Sequence, residues 1–219
     1  RFASVQYAGD ARRALPSLVV SAAIGTGAMM IYFGQEIGEP GADAEGYSGH
    51  DGRTTIFDYW SVATVRRLYN NGGCDGPLSA DEEALLAQYR RVLGLINSED
   101  ALRDGKFFDL MYVNYDNPRF NPHRQYAFLR GGADATLLVA VNFGDSEADM
   151  LINIPQHAFD TLGIEPRKTR ATELLGGDKA GVDFCAEKPF QCRLAPHGAA
   201  IWRIPRKKVS GTSPKSSKK

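Results

Sequence analysis

The stretch that decides the fold covers residues 29–60 and reads MMIYFGQEIGEPGADAEGYSGHDGRTTIFDYW. It begins with a short apolar and aromatic run, residues 29–33, that ends at Gly34, and this pattern predicts a buried parallel strand. The polar segment after it is longer than about a dozen residues, and such loops in compact domains are usually lids, binding loops or disordered segments. Aromatic and charged side chains favour a binding loop, so we predict one here. These side chains are Gln35, Glu36, Glu39, Asp43, Glu45, Tyr47, His50, Asp51 and Arg53.

A helix is predicted before this strand. Asp10 is a candidate N-cap, and apolar residues then recur at helical spacing. Pro16 either lies in the first turn of a helix that begins after Asp10 or kinks one that begins there. Helix, glycine turn, strand and long loop form the unit of a (β/α) barrel, whose sites lie on loops at the C-terminal ends of the strands. The apolar stripe comprises Ala14, Leu15, Leu18, Val19, Ala22 and Ala23.

Three motifs in this region resemble those of the alpha-amylase family of glycoside hydrolases. Residues 27–36, GAMMIYFGQE, look like the family's eighth barrel strand, which ends in a Tyr-Tyr-Gly-x-Glu pattern; Ala28 stands where the family usually has proline. Residues 53–58, RTTIFD, are similar to the Arg-Thr-Pro-Met motif after that strand, with Thr-Ile in place of Pro-Met. Arg1 matches the last residue of the family's Asn-His-Asp-x-x-Arg motif.

The resemblance implies a function. The family cleaves or transfers α-glucosidic bonds with retention, through a glycosyl-enzyme intermediate, so it implies an α-glucan or malto-oligosaccharide substrate. Two aspartates and a glutamate from earlier barrel strands do this chemistry, and the resemblance puts all three before Arg1. We therefore expect no catalytic residue in this chain, no activity of the chain alone, and a missing N-terminal barrel portion as its partner. No cofactor is indicated, and calcium dependence and cellular compartment stay open.

Five residues are candidates for substrate binding: Glu36, Tyr47, His50, Asp51 and Arg53. Glu36 and Arg53 would face the site, but Glu36 could instead pair with Arg53 or cap backbone amides, and Arg53 could brace the loop. Tyr47 is a candidate sugar platform because a loop aromatic outside any alternating pattern has less reason to be buried. His50 and Asp51 are a candidate pair for binding hydroxyl groups.

A second helix is predicted downstream. Ser79 and Glu82 have the spacing of a capping box, and an apolar stripe follows at helical spacing. Within the barrel interpretation this is the eighth and last helix, and residues 61–76 are a connector without a predicted element. The stripe comprises Leu85, Leu86, Tyr89, Val92, Leu93 and Ile96.

The sequence changes character near residue 99. Short strand-like runs separated by turn signals, with no helix between them, predict an antiparallel β-sandwich. Residues 126–130 and 137–143 resemble a pair of strands common in the domain that follows the amylase barrel. The runs are residues 107–113, 125–129, 136–142, 150–154, 169–174, 190–194 and 199–204.

The predicted fold is therefore α/β plus all-β: the terminal portion of a (β/α)8 TIM barrel followed by an antiparallel β-sandwich. We predict residues 1–98 as the C-terminal part of the catalytic barrel, 99–205 as the sandwich, and 206–219 as a disordered basic tail. The alternative function is a non-catalytic glucan-binding module or a scaffold derived from an amylase barrel. A binding module would use exposed aromatics of the sandwich, for which Tyr112, Tyr115 and Phe120 are the candidates.

Composition narrows the class of protein. The 219 residues, of which 43% are hydrophobic, are enough for one or two domains with a real core. Twenty-six basic against 26 acidic residues give a formal charge of zero, which implies no attraction to nucleic acid or anionic membranes and suits a neutral glucan. Three cysteines do not indicate a disulfide framework, although free thiols and a bridge between Cys185 and Cys192 both stay open. The isolated histidines do not resemble a zinc site.

Overall fold

The computed structural model describes residues 7–39, 62–69 and 76–207. The described helices are α1 (Leu15–Ala23), α2 (Ala63–Tyr69), α3 (Ala80–Ser98), α4 (Asp100–Arg103), α5 (Met111–Asn114) and α6 (Gln156–Leu162). The described strands are β1 (Lys106–Asp109), β2 (Gln125–Gly131), β3 (Ala135–Asn142), β4 (Ala148–Ile152), β5 (Arg167–Glu173), β6 (Lys179–Phe184), β7 (Phe190–Leu194) and β8 (Ala199–Pro205). None of the helices in these ranges is long and apolar enough to cross a membrane.

The strands form two antiparallel sheets. One has six strands in the order β1-β2-β3-β8-β5-β6, and the other pairs β4 with β7. Strand β3 lies between β2 and β8, where Val139 pairs with Phe128 on one side and Ile201 on the other. All eight residues of β3 are buried, so both faces of the sheet must be covered at its centre.

The first hydrophobic core lies between the two sheets. Phe190, Cys192 and Leu194 of β7 are buried, whereas Gln191 and Arg193 between them are exposed, which is the alternation of a strand with one covered face. Side chains from the other seven strands and from α6 also contribute to this core. Cys185 and Cys192 are free thiols, and burial raises the pKa of Cys192 to about 11.

The second core lies on the opposite face of the six-stranded sheet. Leu137, Val139 and Val141 of β3 pack here, whereas Leu138 and Ala140 belong to the first core, because successive side chains of a strand point to opposite faces. Helices α1 and α3 cover this face. Their buried residues in the second core are Leu18, Val19, Ala22, Ala23, Leu85, Tyr89 and Val92.

A buried arginine ties these helices to the sheet. Arg130 of β2 is only 1% exposed, and its guanidinium donates to three backbone carbonyls. Nε lies 3.0 Å from the Ala101 oxygen, Nη1 3.0 Å from that of Ile24, and Nη2 3.2 Å from that of Leu102. Burial lowers the pKa of Arg130. One side chain thus joins β2 to the end of α1 and to α4.

The predicted strand at residues 29–33 is wrong. The segment is irregular, and the amide of Gln35 donates to the carbonyl of Tyr32 at 2.8 Å to start a turn. The next residues, Gln35–Ile37, form one turn of 3-10 helix. A parallel strand needs hydrogen bonds from strands beside it, and no strand in the described ranges pairs with this segment.

The predicted strand at residues 107–113 is right only in part, because β1 ends at Asp109 and α5 follows. The side chain of Asn114 explains the change. Its Nδ2 donates to the carbonyls of Leu110 at 2.8 Å and Asn153 at 3.0 Å, and its Oδ1 accepts from the Asn153 amide at 2.8 Å. Such side-chain bonds to the backbone favour a turn over a strand ladder.

Besides α5, four elements were not predicted: α2 within the supposed connector, the four-residue α4, α6 between strands, and β6. Helices α2 and α6 have seven residues each, too short for a clear periodic pattern, and β6 contains two charged residues and a glycine. The six other strand predictions are confirmed, with ends shifted by two residues at most.

One helix-start prediction is confirmed and the other only in part. Ser79 and Glu82 form the capping box at the start of α3. The Asp10 side chain accepts from the Arg12 amide at 3.0 Å and caps a short 3-10 turn, after which α1 begins at Leu15 with Pro16 in its first turn. The first of the two alternatives for Pro16 is therefore the correct one. The domain boundary near residue 99 stays a prediction.

Arg130→Met should destabilise the fold by about 3 kcal/mol, because it removes the donor to the buried carbonyls of Ala101 and Leu102 and to the partly buried carbonyl of Ile24, and each loss at a buried group costs about 1–3 kcal/mol before relaxation. Urea unfolding of the whole chain measures this. Arg170→Met, at an exposed position of β5, is the control and should change the unfolding free energy by less than about 0.5 kcal/mol. Equal effects of the two substitutions would contradict the role given to Arg130.

Candidate active-site cleft

Glu36 lies in the 3-10 turn between two glycines with left-handed backbone, Gly34 with φ 71° and Gly38 with φ 76°. A side chain at Gly34 would also collide with its neighbour, since a Cβ there would lie 2.7 Å from the Cβ of Glu39. Both glycines are therefore required by the backbone path. The turn they bound holds Glu36 half-buried at the surface.

Glu36 lines a small cleft and contributes a carboxylate to it. The cavity has a volume of about 210 Å³ and lies between residues 31–36 and helix α2. Tyr32 and Phe33 contribute aromatic rings from one side, and the exposed Tyr69 contributes one from the other. Aromatic faces with one charged hydrogen-bond acceptor suit a sugar ring, whose C–H groups pack on the ring and whose hydroxyls donate to the carboxylate. The other lining residues are Ile31, Gly34, Val65 and Leu68.

A buried hydrogen bond fixes the turn to α3. The side-chain amide of Gln35 donates to the hydroxyl of Tyr89 at 3.0 Å. Burial is the main cause that raises the pKa of Tyr89 to about 12; the hydrogen bond with Gln35 opposes this increase, and the nearby charge of Glu36 contributes to it. Tyr89 therefore stays neutral at physiological pH, and it holds the residue adjacent to Glu36 in place.

A second carboxylate joins the two walls of the cleft. Glu39 is only 1% exposed, and its side chain accepts a hydrogen bond from the hydroxyl of Thr64 on α2. Below this contact, Ile37, Val62 and Val65 form a small hydrophobic cluster of their own. Glu39 is thus a positioning residue. The sequence shows it only as one of several acidic residues in a loop, and nothing in the pattern pairs it with Thr64.

The other predicted site residues, Tyr47, His50, Asp51 and Arg53, lie outside the described residues. Of the five candidates, the structure therefore places Glu36 alone. The pairing of Glu36 with Arg53 stays a prediction. In the described part of the chain, no group of three or more His, Cys, Asp and Glu side chains is arranged to hold a metal ion.

The aromatic cluster considered for a binding module is corrected by the structure. Tyr112 and Tyr115 are 58% and 60% exposed, but Phe120 is 4% exposed and belongs to the first core. The Tyr115 ring makes an edge contact with His123, with centroids 6.4 Å apart. Two exposed tyrosines, rather than three aromatics, therefore remain on this surface.

No protein-family model matches this chain, and no curated protein matches it either. Solved structures do match. AmyP in complex with maltose superposes with a TM-score of 0.59 at 17% identity, over 91% of this chain and 36% of that one. An Anoxybacillus alpha-amylase gives 0.57 at 16% identity, over 93% and 34% of the two chains. A maltogenic alpha-amylase from Thermotoga neapolitana gives 0.57 at 10% identity, over 90% and 37%.

The chain has the fold of the C-terminal part of alpha-amylase structures. It spans about a third of the length of these proteins. A debranching enzyme of Nostoc punctiforme, soaked with acarbose, gives a TM-score of 0.53 at 17% identity. At these identities the similarity shows the fold, and the resemblance stated from the motifs is confirmed at that level.

Gly34→Ala should destabilise the chain by about 1–3 kcal/mol, because the new side chain combines a left-handed backbone with a collision against Glu39. Gly27→Ala is the matched control, since a Cβ at Gly27 meets no atom within 4 Å. Urea unfolding of both variants measures the difference. A Gly34 variant as stable as the Gly27 variant would show that the turn does not need glycine.

Stability should fall as the pH rises from about 10 to 12, partly because of Tyr89. Its pKa is about 12 in the folded state and about 10 in the unfolded chain, so the native state keeps a proton that the unfolded state has released. This group then contributes a loss of about 1.4 kcal/mol per pH unit in that window. Tyr89→Phe should remove this contribution from the pH dependence measured by urea unfolding. An unchanged slope would contradict it.

Proposed function

We propose that this chain is the C-terminal part of an alpha-amylase-like glycosidase that acts on α-glucosidic bonds of starch-type glucans or oligosaccharides with retention. The observation that carries the proposal is the coincidence of the motif and the cleft. Residues 27–36 resemble the family's eighth strand motif, and the glutamate that ends this motif, Glu36, is the carboxylate of a cleft lined with aromatics. The fold of alpha-amylase structures, found over about nine-tenths of the chain, supports the same assignment.

The role of this chain in the reaction would be to bind and position substrate. Retaining hydrolysis needs two carboxyl groups about 5 Å apart, one as nucleophile and one as acid and base. We assign both to the barrel portion that this chain lacks. Glu36 would accept a hydrogen bond from a sugar hydroxyl, and Tyr32 and Tyr69 would offer ring faces to the sugar. The buried hydrogen bond between Gln35 and Tyr89, 3.0 Å long, would hold Glu36 in position to bind that substrate.

The architecture suggests where the barrel part of the chain ends and the sandwich begins. We propose that residues up to about 98 complete the catalytic barrel and that residues 99–205 form the β-sandwich that follows it. Arg130 and the second core would then fix the end of the barrel to the sandwich, since they join α1 to β2 and β3. The sandwich would thereby brace the elements that carry the cleft.

A non-catalytic glucan-binding module is the second candidate. The observation that favours it is the pair of exposed rings on and next to α5, Tyr112 and Tyr115. Exposed aromatics three residues apart on a helix lie on one side of it and can contact a sugar. The two candidates separate by experiment, because the enzyme proposal places glucan binding at Glu36 and the module proposal places it at these tyrosines.

The purified chain should show no turnover of a chromogenic maltoside above background, because we assign the carboxylate pair that the reaction needs to another part of the protein. It should bind maltoheptaose weakly, with a Kd of about 1–10 mM, as expected for part of a site. Glu36→Gln should weaken this binding about tenfold, since hydrogen bonds to a charged acceptor are worth more than those to a neutral one. Titration followed by NMR chemical shifts measures each variant.

Glu83→Gln is the control because it removes one carboxylate at an exposed position of α3. It should bind maltoheptaose like the wild type. Loss of binding on replacing Tyr112 and Tyr115 by alanine, with Glu36→Gln unchanged, would favour the binding module. Turnover well above background that survives Glu36→Gln would overturn the assignment of the reactive carboxylates to another part of the protein.

A further inference from the structure

A larger cavity lies at one end of the six-stranded sheet and shares no lining residue with the cleft at Glu36. Its volume is about 360 Å³, within the range typical of small-molecule sites. The lining includes the apolar side chains of Ile164, Phe184 and Ile204. Its charged and polar residues come from three separate segments. They are Thr136, Glu165, Arg167, Arg206 and Lys207.

The two arginines of this cavity are held in place by neutral oxygens. Nη1 of Arg167 donates to the carbonyl of Pro205 at 3.1 Å. Nη2 of Arg206 donates to the carbonyl of Leu162 at 2.7 Å, and its Nε donates to the hydroxyl of Thr136 at 3.3 Å. A guanidinium has five N–H donors, so these contacts orient each group without using all its donors.

These arginines also lack the partners that others in the chain have. Arg203, on the same strand as Pro205, pairs with Glu99 at 3.1 Å, but within residues 7–39, 62–69 and 76–207 neither Arg167 nor Arg206 forms an ion pair. Burial lowers the pKa of Arg206, and the charge of Asp100 only partly opposes this. Both arginines are half-buried, and a partly desolvated cation that forms no ion pair favours an anion beside it.

The charges of the residues that line the cavity also favour an anionic ligand. Arg167, Arg206 and Lys207 contribute three positive charges against the single carboxylate of Glu165. Guanidinium groups bind carboxylates and phosphates through paired N–H donors, and the apolar side chains beside them favour a ligand with a compact apolar body. We propose that this cavity binds a small organic oxyanion, with the anionic group at Arg167 and Arg206 and the apolar body against Ile164 and Ile204.

Four probes test the proposal on the whole chain by NMR titration: benzoate, phenyl phosphate, inorganic phosphate and the neutral analogue benzamide. Benzoate or phenyl phosphate should bind with a Kd of about 1 mM or below and at least about tenfold more tightly than benzamide. The preferred one of the two identifies the anionic group as carboxylate or phosphate. Inorganic phosphate should bind more weakly than phenyl phosphate, because it lacks the apolar body.

Arg167→Gln should weaken binding of the preferred anion about tenfold, while glutamine keeps an N–H donor for the Pro205 carbonyl. Arg170→Gln, three residues away on β5 and exposed, removes the same charge from the other face of the strand and should leave binding unchanged. Ile164→Trp, which fills the cavity but keeps both arginines, should abolish binding, and thermal unfolding checks that each variant is folded. Three results would overturn the proposal: equal binding of benzamide and the anions, equal weakening by Arg167→Gln and Arg170→Gln, or no saturable shift with any probe.

Discussion

The fold depends on how Arg130 satisfies backbone carbonyls that helices leave unpaired. The last carbonyls of a helix have no partner inside it and carry a partial negative charge. The guanidinium of Arg130 donates to Ile24, where α1 ends, and to Ala101 and Leu102 in the short helix α4. A positive charge is favourable there, which compensates part of the cost of burying it. Because the donor belongs to β2, the helices cannot separate from the sheet without exposing these groups.

The six-stranded sheet is the middle layer of the structure. The helices cover one face, and the β4–β7 pair with α6 covers the other. This arrangement explains why β3 is buried along its whole length, unlike β7 at the outside, where buried and exposed residues alternate. The candidate cleft lies beyond the helical layer, and its position depends on α3 through Gln35 and Tyr89. The position of the cleft therefore depends on how α3 packs against the sheet.

Local signals predicted much of this fold. The capping box at Ser79 and the strand runs depend on short-range chemistry and are present in the structure. The strand at residues 29–33 failed because an apolar run states only that a segment is buried, whereas a strand also needs neighbours to pair with. Helix α5 was missed because its start is set by Asn114 through bonds to Leu110 and to the distant Asn153, and a local pattern contains no such information.

The candidate site was predicted less completely than the fold. Glu36, which the motif indicates as a candidate for substrate binding, lines a cleft, and its binding role stays a prediction. The residues that position it were not found, because Tyr89 looks like one more member of an apolar stripe and Glu39 like one more acidic loop residue. Their roles come from contacts with Gln35 and Thr64 on other elements. Side chains that act through distant partners leave no periodic signal in the sequence.

The position of β3 between two cores has a consequence for how variation in this chain should be interpreted. Odd-numbered residues from Leu137 to Val141 face the helices, and the even-numbered Leu138 and Ala140 face the smaller sheet. Substitutions at neighbouring residues of β3 therefore affect different hydrophobic cores. Mutations at odd positions would loosen the layer that carries the cleft, whereas mutations one residue away would act first on the side remote from it.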